Sequence, residues 1–291
     1  MSVVLITGSS SGFGREGALA FARNGDIVYA SMRDLARATL LLRAAADEGL
    51  DVNVIALDVA KPENFAGVIR RIVGEAGRID VLVNNAGIIQ PGALEDISEA
   101  ALRQVVETNL IGPLLLTRSV LPQMRQQRGG CIIMMSSLSG IAGLPGDLPY
   151  SASKFGLEGA TEALRHEVDR WGIRVALVEC GMYATGIFDA SLKDERLLPP
   201  DYPADSPYRP LVESRLKAVR ESLSRAFHPR RIGELYVEIA KSDGTRLRWP
   251  ADEVAEMVLK TMFAQDDAER DAFLRKVADA DWWSKGRTHD D

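Results

Sequence analysis

Short apolar runs alternate along the chain with longer segments of helical period. The runs cover residues 3–6, 27–30, 52–57, 79–83, 131–135 and 173–178. Runs of Val, Ile and Leu without polar alternation are typical of strands buried on both faces, and helices between them suit the crossovers of a parallel sheet. The pattern therefore predicts an α/β fold in which a doubly wound parallel sheet lies between two layers of helices.

The regular alternation ends near residue 181. Residues 182–250 mix bulky apolar, polar and proline residues, and we expect them to form a substrate-binding loop or helical excursion over the sheet. A helical period resumes at 250–264, with Pro250 and Asp252 at its start, and 251–291 is predicted to be a helical extension. Without an internal repeat or low-complexity linker, we expect a single domain over 1–291.

The composition and net charge of the chain argue against several classes of function. Hydrophobic residues make up 46% of the 291 positions, charged residues 26%, and the net charge is −6. This acidic balance gives no reason to expect nucleic acid or an acidic membrane as partner. Cys131 and Cys180 have neither disulfide nor metal-site spacing. With no apolar stretch of membrane-spanning length and no signal-peptide pattern at the start, we expect a soluble cytoplasmic protein without a metal.

A glycine-rich turn follows the first predicted strand, in TGSSSGFG at 7–14. A strand, a glycine-rich turn and a helix together form an anion site, because the helix N-terminus offers free N–H groups to a pyrophosphate. The same turn also occurs for packing alone. Its place at the first β-α junction favours cofactor binding. The predicted contacts are Gly8, Ser10, Ser11, Gly12, Phe13 and Gly14.

The end of the second strand bears on which dinucleotide binds. An NAD site has an acidic residue here for the ribose 2′-hydroxyl, whereas an arginine accommodates a 2′-phosphate. This chain has Met32 and then Arg33, with hydroxyls at Ser11 and Ser31, which favours NADP(H). Asp34 lies one residue beyond the position that the acidic residue of an NAD site occupies, and it can instead pair with Arg33 or start a turn. Arg33 can also be an ordinary surface residue.

Two further strand ends carry polar residues. Asp58, followed by Val59, can accept from an adenine amino group or serve as a turn residue. NNAG at 84–87 follows the fourth strand, where ligands bind in open α/β sheets. We expect Asn85, Ala86 and Gly87 to contact the cofactor, although an Asx turn also explains them.

A tyrosine and a lysine at 150 and 154 open a predicted helix. Residues four apart on a helix lie on one face, so Lys154 is a neighbour of Tyr150. A cation near the phenol favours the phenolate, which makes a proton donor and acceptor near neutral pH. Ser136 and Ser137 end the fifth strand and point to opposite faces, so only one of them can meet the tyrosine.

Asn109 lies four residues before Pro113 in a stretch that reads as one helix over 99–121. Proline has no N–H, so the Asn109 carbonyl loses its partner and can hold an ordered water. We hypothesise a proton path from Tyr150 along Lys154 and a water on Asn109 to solvent.

These motifs together resemble the short-chain dehydrogenase/reductase family over roughly residues 3–185. The stretches at 28–34 and 143–165 are most similar to its 17β-hydroxysteroid and retinol dehydrogenase-like branch. The resemblance implies a Rossmann-like fold with a seven-stranded parallel sheet, and reversible hydride transfer between a nicotinamide and a carbonyl/alcohol pair.

The resemblance also assigns roles by position. Tyr150 would be the general acid/base, Lys154 its modulator, Ser137 the carbonyl-binding hydroxyl and Asn109 a relay residue. Gly181 and Thr185 would contact the nicotinamide end. The family usually has Pro-Gly where this chain has Cys180-Gly181, which puts the rigidity of that turn in question.

Apolar residues near these positions suggest a lipophilic substrate, although they can equally pin a long loop to the body. The candidates are Leu144, Leu148, Met182, Tyr183 and Phe188. We expect a small-molecule ketone or alcohol as substrate and a homo-oligomer, a dimer or a tetramer. The alternatives are an NAD-dependent alcohol or hydroxysteroid dehydrogenase, and a non-catalytic dinucleotide-binding redox sensor. The intact Ser137, Tyr150 and Lys154 set argues against the sensor.

Overall fold

A computed structural model describes residues 1–185, 187, 198, 202–223, 225–279, 281–285 and 287. The described residues form a seven-stranded sheet in the order β3-β2-β1-β4-β5-β6-β7. Every neighbouring pair of strands is parallel. The strands are β1 (Val3–Ile6), β2 (Ile27–Met32), β3 (Asn53–Ala56), β4 (Val81–Asn84), β5 (Gly130–Met135), β6 (Ile173–Glu179) and β7 (Arg248–Pro250).

Helices cover both faces of the sheet, as the apolar runs predicted. They are α1 (Gly12–Arg23), α2 (Thr39–Asp47), α3 (Phe65–Ala76), α4 (Glu99–Val106), α5 (Gly112–Gln127), α6 (Leu148–Val168), α7 (Arg209–Leu223), α8 (Arg230–Lys241), α9 (Glu253–Ala264), α10 (Asp267–Val277) and α11 (Asp281–Ser284). The seven-stranded Rossmann-like architecture is therefore confirmed.

Strand β1 shows why the runs lack polar positions. Val4 and Ile6 face one core cluster, formed with α1 and α8, while Val3 and Leu5 face the other, formed with α3, α5 and α6. All four side chains are buried. Burial of each contributes roughly 1.5–3 kcal/mol, so a polar residue on either face of this strand would cost stability.

The stretch predicted as one helix over 99–121 is interrupted. Glu107–Ile111 forms a π-helical turn between α4 and α5, and the Gly112 N–H donates to the carbonyl of Glu107. Pro113 provides the physical reason, since it cannot donate to the carbonyl four residues before it. The interruption lies at Asn109, as the proline position predicted.

The expected excursion over 182–250 is only partly an excursion. Its last third supplies α8, which packs on α1, and β7, which completes the sheet. At Gly233 an added Cβ would lie 2.5 Å from the Glu16 carbonyl oxygen, so this contact depends on glycine. The sequence pattern did not predict strand β7, because this strand has only three residues and ends in Pro250. The prediction of an excursion is wrong for 230–250.

The helix predicted at 250–264 is present as α9, and Asp252 caps it by accepting from the Ala255 N–H. Helix α9 packs on Ile141 and Ala142, in the segment that follows β5. Within the described ranges, no helix combines the length and the apolar character that a membrane crossing needs.

Candidate active site

The glycine-rich turn joins β1 to α1 at the carboxyl edge of the sheet. The Ser11 side chain makes no capping hydrogen bond, and the first turn of α1 has no acidic residue. Its N–H groups are therefore available to an anion, and no carboxylate competes with one. Ser11 is exposed, and Gly12 and Phe13 are half-buried. This is the environment that a pyrophosphate requires.

Close contacts explain two of the glycines. Gly8 has φ +70°, and an added Cβ there would lie 2.9 Å from the Ala86 Cα. At Gly14 an added Cβ would lie 2.4 Å from the Gly8 carbonyl oxygen. Side chains at either position would push the turn away from the end of β4, so the motif brings these segments together.

Asn85 is clamped by the protein itself. Its Nδ2 donates to the Thr7 carbonyl at 2.7 Å, and its Oδ1 accepts from the Tyr236 hydroxyl at 3.1 Å. The Ala86 N–H donates to Thr7 Oγ1 at 3.0 Å. Gly87 lies next to Asn109 and Lys154, whose Oδ1 and Nζ would be 3.5 and 4.0 Å from a Cβ there. NNAG thus connects the glycine-rich turn to Asn109 and Lys154.

Three successive residues at the end of β2, 32–34, have different environments. Met32 is buried in the core, whereas Arg33 is exposed. Asp34 accepts from the Ala36 N–H at 3.0 Å and caps a short 3-10 turn, so it starts a turn rather than pairing with Arg33. Ser31 Oγ is buried and has no hydrogen-bond partner among the described residues. The exposed Arg33 guanidinium fits a ligand with a phosphate group.

Asp58 occupies an Asx turn, in which its Oδ1 accepts from the Ala60 N–H at 3.0 Å. Asp58 therefore serves as a turn residue, and an adenine contact would use its other carboxylate oxygen. Val59 is buried, and its carbonyl oxygen would lie 2.4 Å from a Cβ at Gly112. The end of β3 thus touches the π-helical region that carries Asn109.

Tyr150, Lys154 and Ser137 meet at the ends of β5 and α6. The Ser137 hydroxyl lies close enough to the Tyr150 phenol to lower the pKa of that phenol. Lys154 Nζ lies 5.6 Å from the centroid of the Tyr150 ring and donates to the Met135 carbonyl at 2.6 Å. Ser136 lies on the other face, where a Cβ added at Gly140 would lie 2.8 Å from Ser136 Oγ and 3.1 Å from Glu158 Oε1. The structure therefore selects Ser137 as the serine that meets the tyrosine.

Burial dominates the acid–base properties of this pair. It raises the pKa of the Tyr150 phenol above the usual value, while the hydrogen bond from Ser137 opposes that rise. Burial also lowers the pKa of Lys154 to about 8. The expected lowering of the Tyr150 pKa by Lys154 is thus not found in the protein alone. The ammonium contacts the Met135 carbonyl, and desolvation of the phenol has the larger effect.

Asn109 is held in the π-helical turn with its carboxamide fully engaged. Nδ2 donates to the Ile88 carbonyl at 2.8 Å and to Ser153 Oγ at 3.2 Å, and Oδ1 accepts from the Ile88 N–H at 2.9 Å. These bonds tie the loop after β4 to α6, beside Lys154. The water-mediated path through the Asn109 carbonyl stays a prediction.

A largely buried charge cluster lies near Ser136, where β6, β7 and α6 meet. The Arg248 guanidinium contacts Glu158, Glu179 and Glu162. Glu179 is fully buried, and burial followed by the charge of Glu158 raises its pKa to about 7, while Arg248 opposes the rise. The cluster joins β6, β7 and α6, since each element supplies a member. Its members lie far apart in sequence, and no motif predicted it.

The segment after β6 carries Gly181, Met182, Tyr183 and Thr185. The Gly181 N–H donates to Asp252 Oδ2 at 3.0 Å. Thr185 lies against Gly12, where a Cβ would be 3.3 Å from the Thr185 Cβ. Tyr183 is 3% exposed and its hydroxyl donates to the Ala251 carbonyl at 3.3 Å, so its environment favours a packing role over the open substrate pocket we expected.

The other substrate candidates lie at different depths. Leu148 is exposed at the start of α6, while Leu144 and Met182 are half-buried. Phe188 lies outside the described residues. A cavity of about 360 Å³ lies between 93–95 and Tyr208, and the ring of Trp283 lies 6.4 Å from that of Tyr208. The loop bearing this cavity is bonded to the segment just before α6, since the Gly92 N–H donates to the Gly146 carbonyl at 2.8 Å.

Among the described residues, no group of three His, Cys, Asp or Glu side chains is arranged to hold a metal ion. Both cysteines are buried and reduced. Burial raises the pKa of the Cys180 thiol to about 12, and the Cys180 carbonyl accepts from the Leu138 N–H at 3.3 Å, one residue after Ser137.

Known sequences match this arrangement. The family model described as short chain dehydrogenase matches residues 2–196. An uncharacterized oxidoreductase, YusZ of Bacillus subtilis, is 35% identical over 88% of this chain and 91% of its own length. The 3-ketodihydrosphingosine reductase of Bacteroides thetaiotaomicron is 36% identical over 81% and 82%. The mouse 17-beta-hydroxysteroid dehydrogenase type 1 is 33% identical over 85% and 73%.

Solved structures agree. A short-chain dehydrogenase from Streptomyces avermitilis superposes with a TM-score of 0.76 at 30% identity, covering 98% of this chain and 97% of that one. A metagenomic short-chain oxidoreductase in complex with NADP superposes with a TM-score of 0.66 at 25% identity, covering 86% and 95%.

The chain belongs to the short-chain dehydrogenase/reductase family, in its hydroxysteroid and retinol dehydrogenase-like branch. It is an oxidoreductase that acts on CH–OH groups.

Proposed function

We propose that the protein is an NADP(H)-dependent oxidoreductase that interconverts a ketone or aldehyde with the corresponding alcohol, with Tyr150 as general acid and base. The observation that carries this proposal is the buried Lys154 ammonium, which lies 5.6 Å from the centroid of the Tyr150 ring, next to the strand end that bears Ser137. The site lies at the same sheet edge as the anion-binding turn before α1. Both parts of a hydride-transfer site are therefore present on one surface.

The residues at that edge fit a dinucleotide. Gly12 and the first turn of α1 would hold its pyrophosphate, Arg33 and Ser31 its 2′-phosphate, and Thr185 its nicotinamide end. When bound, NADP(H) would supply or accept the hydride. The unsatisfied Ser31 hydroxyl and the uncapped N–H groups of α1 support this assignment.

The protein's own groups manage the proton. A phenol with a raised pKa is protonated at neutral pH, so in ketone reduction Tyr150 would donate its proton to the oxygen of the substrate. Ser137 Oγ would hold that oxygen and then stabilise the phenolate. Lys154 would offer its positive charge to the phenolate, and Asn109 would connect this region to solvent through ordered water.

Two observations favour NADP(H) over NAD(H). Strand β2 ends in the apolar Met32, and Arg33 after it is exposed, whereas Asp34 lies further along and directs Oδ1 to a cap. An NAD site has its carboxylate at the strand end, where it binds the ribose 2′-hydroxyl. The relative solved in complex with NADP supports the same choice.

We infer a bulky lipophilic substrate. Leu148 is exposed at the start of α6, Leu144 and Met182 are half-buried, and a cavity of about 360 Å³ lies between 93–95 and Tyr208. Relatives named for a ketosphingoid base and for 17-beta-hydroxysteroids support a large apolar ketone.

A turnover panel tests the proposal. Aliphatic, aryl and steroid ketones and the matching alcohols are offered with NADPH or NADH, and with the oxidised forms. We expect the highest kcat/KM with NADPH and a bulky apolar ketone. A clear NADH preference would overturn the cofactor assignment, and absence of turnover with binding of the dinucleotide would favour the sensor.

A further inference from the structure

Asp252 joins a helix cap to the turn after β6. One carboxylate oxygen, Oδ1, accepts from the Ala255 N–H at 2.8 Å at the start of α9. The other, Oδ2, accepts from the Gly181 N–H at 3.0 Å. The two residues lie 71 positions apart in sequence. A carboxylate with both oxygens committed in this way fixes the distance between α9 and the turn.

The turn has a particular need for such a tie. A proline before Gly181 would restrict its own φ, but this chain has Cys180 there, whose φ is free. An added Cβ at Gly181 would lie 3.1 Å from Asp252 Oδ1, so the carboxylate sits directly against this peptide. The hydrogen bond can therefore supply the restriction that the side chain at position 180 does not.

The remainder of the segment is held on two sides. Tyr183 donates to the Ala251 carbonyl, one residue before Asp252. On the other side, the Ala184 N–H donates to the Phe227 carbonyl at 3.0 Å and the Phe227 N–H to the Met182 carbonyl at 3.1 Å. These bonds order the segment up to Thr185.

The segment reaches both ends of the dinucleotide site. The ring of Tyr183 meets Phe13 of the glycine-rich turn edge-on, with 5.2 Å between centroids. Thr185 lies against Gly12. At its start, the Cys180 carbonyl accepts from the Leu138 N–H at 3.3 Å, one residue after Ser137. A shift of the Gly181 peptide would therefore move a segment that touches both the glycine-rich turn and the strand end that bears Ser137.

We propose that Asp252 is a positioning residue, which holds the Gly181 peptide and so fixes residues 181–185 for productive hydride transfer. The proposal rests on the proposed function for its catalytic consequence, while the clamp itself is a property of the protein alone. Asp252 touches neither substrate nor reacting atoms, and it acts through the turn.

Two substitutions separate the clamp from the cap. Asp252→Ser keeps an N-cap acceptor but is too short to reach Gly181, because serine is one atom shorter. Asp252→Asn has one acceptor oxygen, so it can serve either Ala255 or Gly181 but not both. The matched control is Asp266→Ser, since Asp266 caps α10 by accepting from the Glu269 N–H at 2.9 Å.

Hydrogen–deuterium exchange on the protein without cofactor tests the clamp directly. Peptides covering 180–185 should exchange about 10-fold faster in Asp252→Ser than in wild type, because the loss of a charge-assisted bond is worth that factor. Asp266→Ser should leave these peptides unchanged. Equal exchange in wild type and Asp252→Ser would overturn the clamp, whatever the enzyme turns over.

Kinetics test the catalytic consequence. With NADPH and the best ketone of the panel, Asp252→Ser should lower kcat about 10- to 100-fold and raise the primary isotope effect from NADPH deuterated at C4, because misplacement slows the hydride step itself. KM for the ketone should change less than kcat. An unchanged isotope effect and kcat, or an equal loss in Asp266→Ser, would refute the positioning role. Wild type without turnover would count against the proposed function, and the exchange result would still decide the clamp.

Discussion

The Lys154 ammonium donates a 2.6 Å hydrogen bond to the carbonyl of Met135, the last residue of β5. This bond docks the catalytic helix on the strand that ends two residues before Ser137. It also keeps a cation in a site where only 3% of the lysine is exposed. The position of Tyr150 relative to Ser137 therefore depends on a buried charge, and the stability of the fold should depend on it too.

The lowered pKa of Lys154 predicts a pH dependence of stability. Burial lowers this pKa to about 8 in the native state, while the unfolded chain retains the usual value of about 10.4. Above about pH 8 the unfolded chain binds a proton that the native protein has lost, so the free energy of unfolding rises with pH. We expect wild type to gain about 1 kcal/mol relative to Lys154→Met between roughly pH 7.5 and 9.

Urea unfolding at several pH values measures this difference. Lys260→Met is the control, because Lys260 lies in an exposed pair with Glu256 and should leave the wild-type pH profile unchanged. Parallel profiles for wild type and Lys154→Met would show that Lys154 keeps an ordinary pKa in the folded state.

Arg33 should decide cofactor preference. Arg33→Ala removes the exposed guanidinium after β2, and we expect KM for NADPH to rise about 10- to 100-fold, the range of a charged hydrogen bond. KM for NADH should change by less than about twofold, because NADH has no 2′-phosphate. Arg37→Ala, an exposed arginine of the next turn, is the control. Equal effects on both cofactors would contradict the assignment.

The Arg248 cluster should be essential for stability rather than chemistry. Arg248→Met leaves Glu158 and Glu179 buried without their cation, which costs about 3–5 kcal/mol. Burial already raises the pKa of Glu179 to about 7, and a raised carboxyl pKa means that stability falls as pH rises from about 4.5 to 7. Loss of Arg248 should raise this pKa further, so the deficit should be larger at pH 8 than at pH 5.

Thermal unfolding at both pH values checks this prediction. Arg103→Met is the control, since the Arg103 and Glu99 side chains are about three-quarters exposed and their pair contributes little. A pH-independent deficit in Arg248→Met would indicate lost packing and not unpaired carboxylates.

Tyr236 should affect the cofactor site from a distance. Tyr236→Phe removes the hydroxyl that donates to Asn85 Oδ1 and leaves a partly buried acceptor unpaired, at a cost of about 1–2 kcal/mol. Because Asn85 also holds Thr7 beside the glycine-rich turn, we expect a several-fold weaker affinity for NADPH, measured by fluorescence titration. Tyr208→Phe, far from Asn85, is the control. Unchanged affinity in Tyr236→Phe would show that Thr7 alone positions Asn85.

The sequence predicted those features that local pattern determines. Apolar runs gave six strands, because a strand buried on both faces needs apolar residues at every position. Pro113 marked the interruption at Asn109, because a missing N–H acts on the carbonyl four residues earlier. Strand β7 was not found from the pattern, since three residues with a proline carry no strand signal.

The missed residues act across the chain. Tyr236 contacts Asn85 from 151 positions away, and Arg248 meets Glu158 from 90 positions away. Asp252 was expected only as a helix start, and its second oxygen is used by a turn that sequence spacing cannot place. The pKa of Tyr150 likewise depends on burial by the assembled fold, which outweighs the lysine that the spacing pointed to.

Reduction of a bulky apolar ketone by NADPH, in wild type and in Tyr150→Phe, tests the central claim most directly. Phenylalanine keeps the ring and removes the proton, so we expect kcat/KM to fall about 10²- to 10⁴-fold. The melting temperature and NADPH affinity should remain close to those of wild type. Turnover by Tyr150→Phe within a few-fold of wild type would contradict the account.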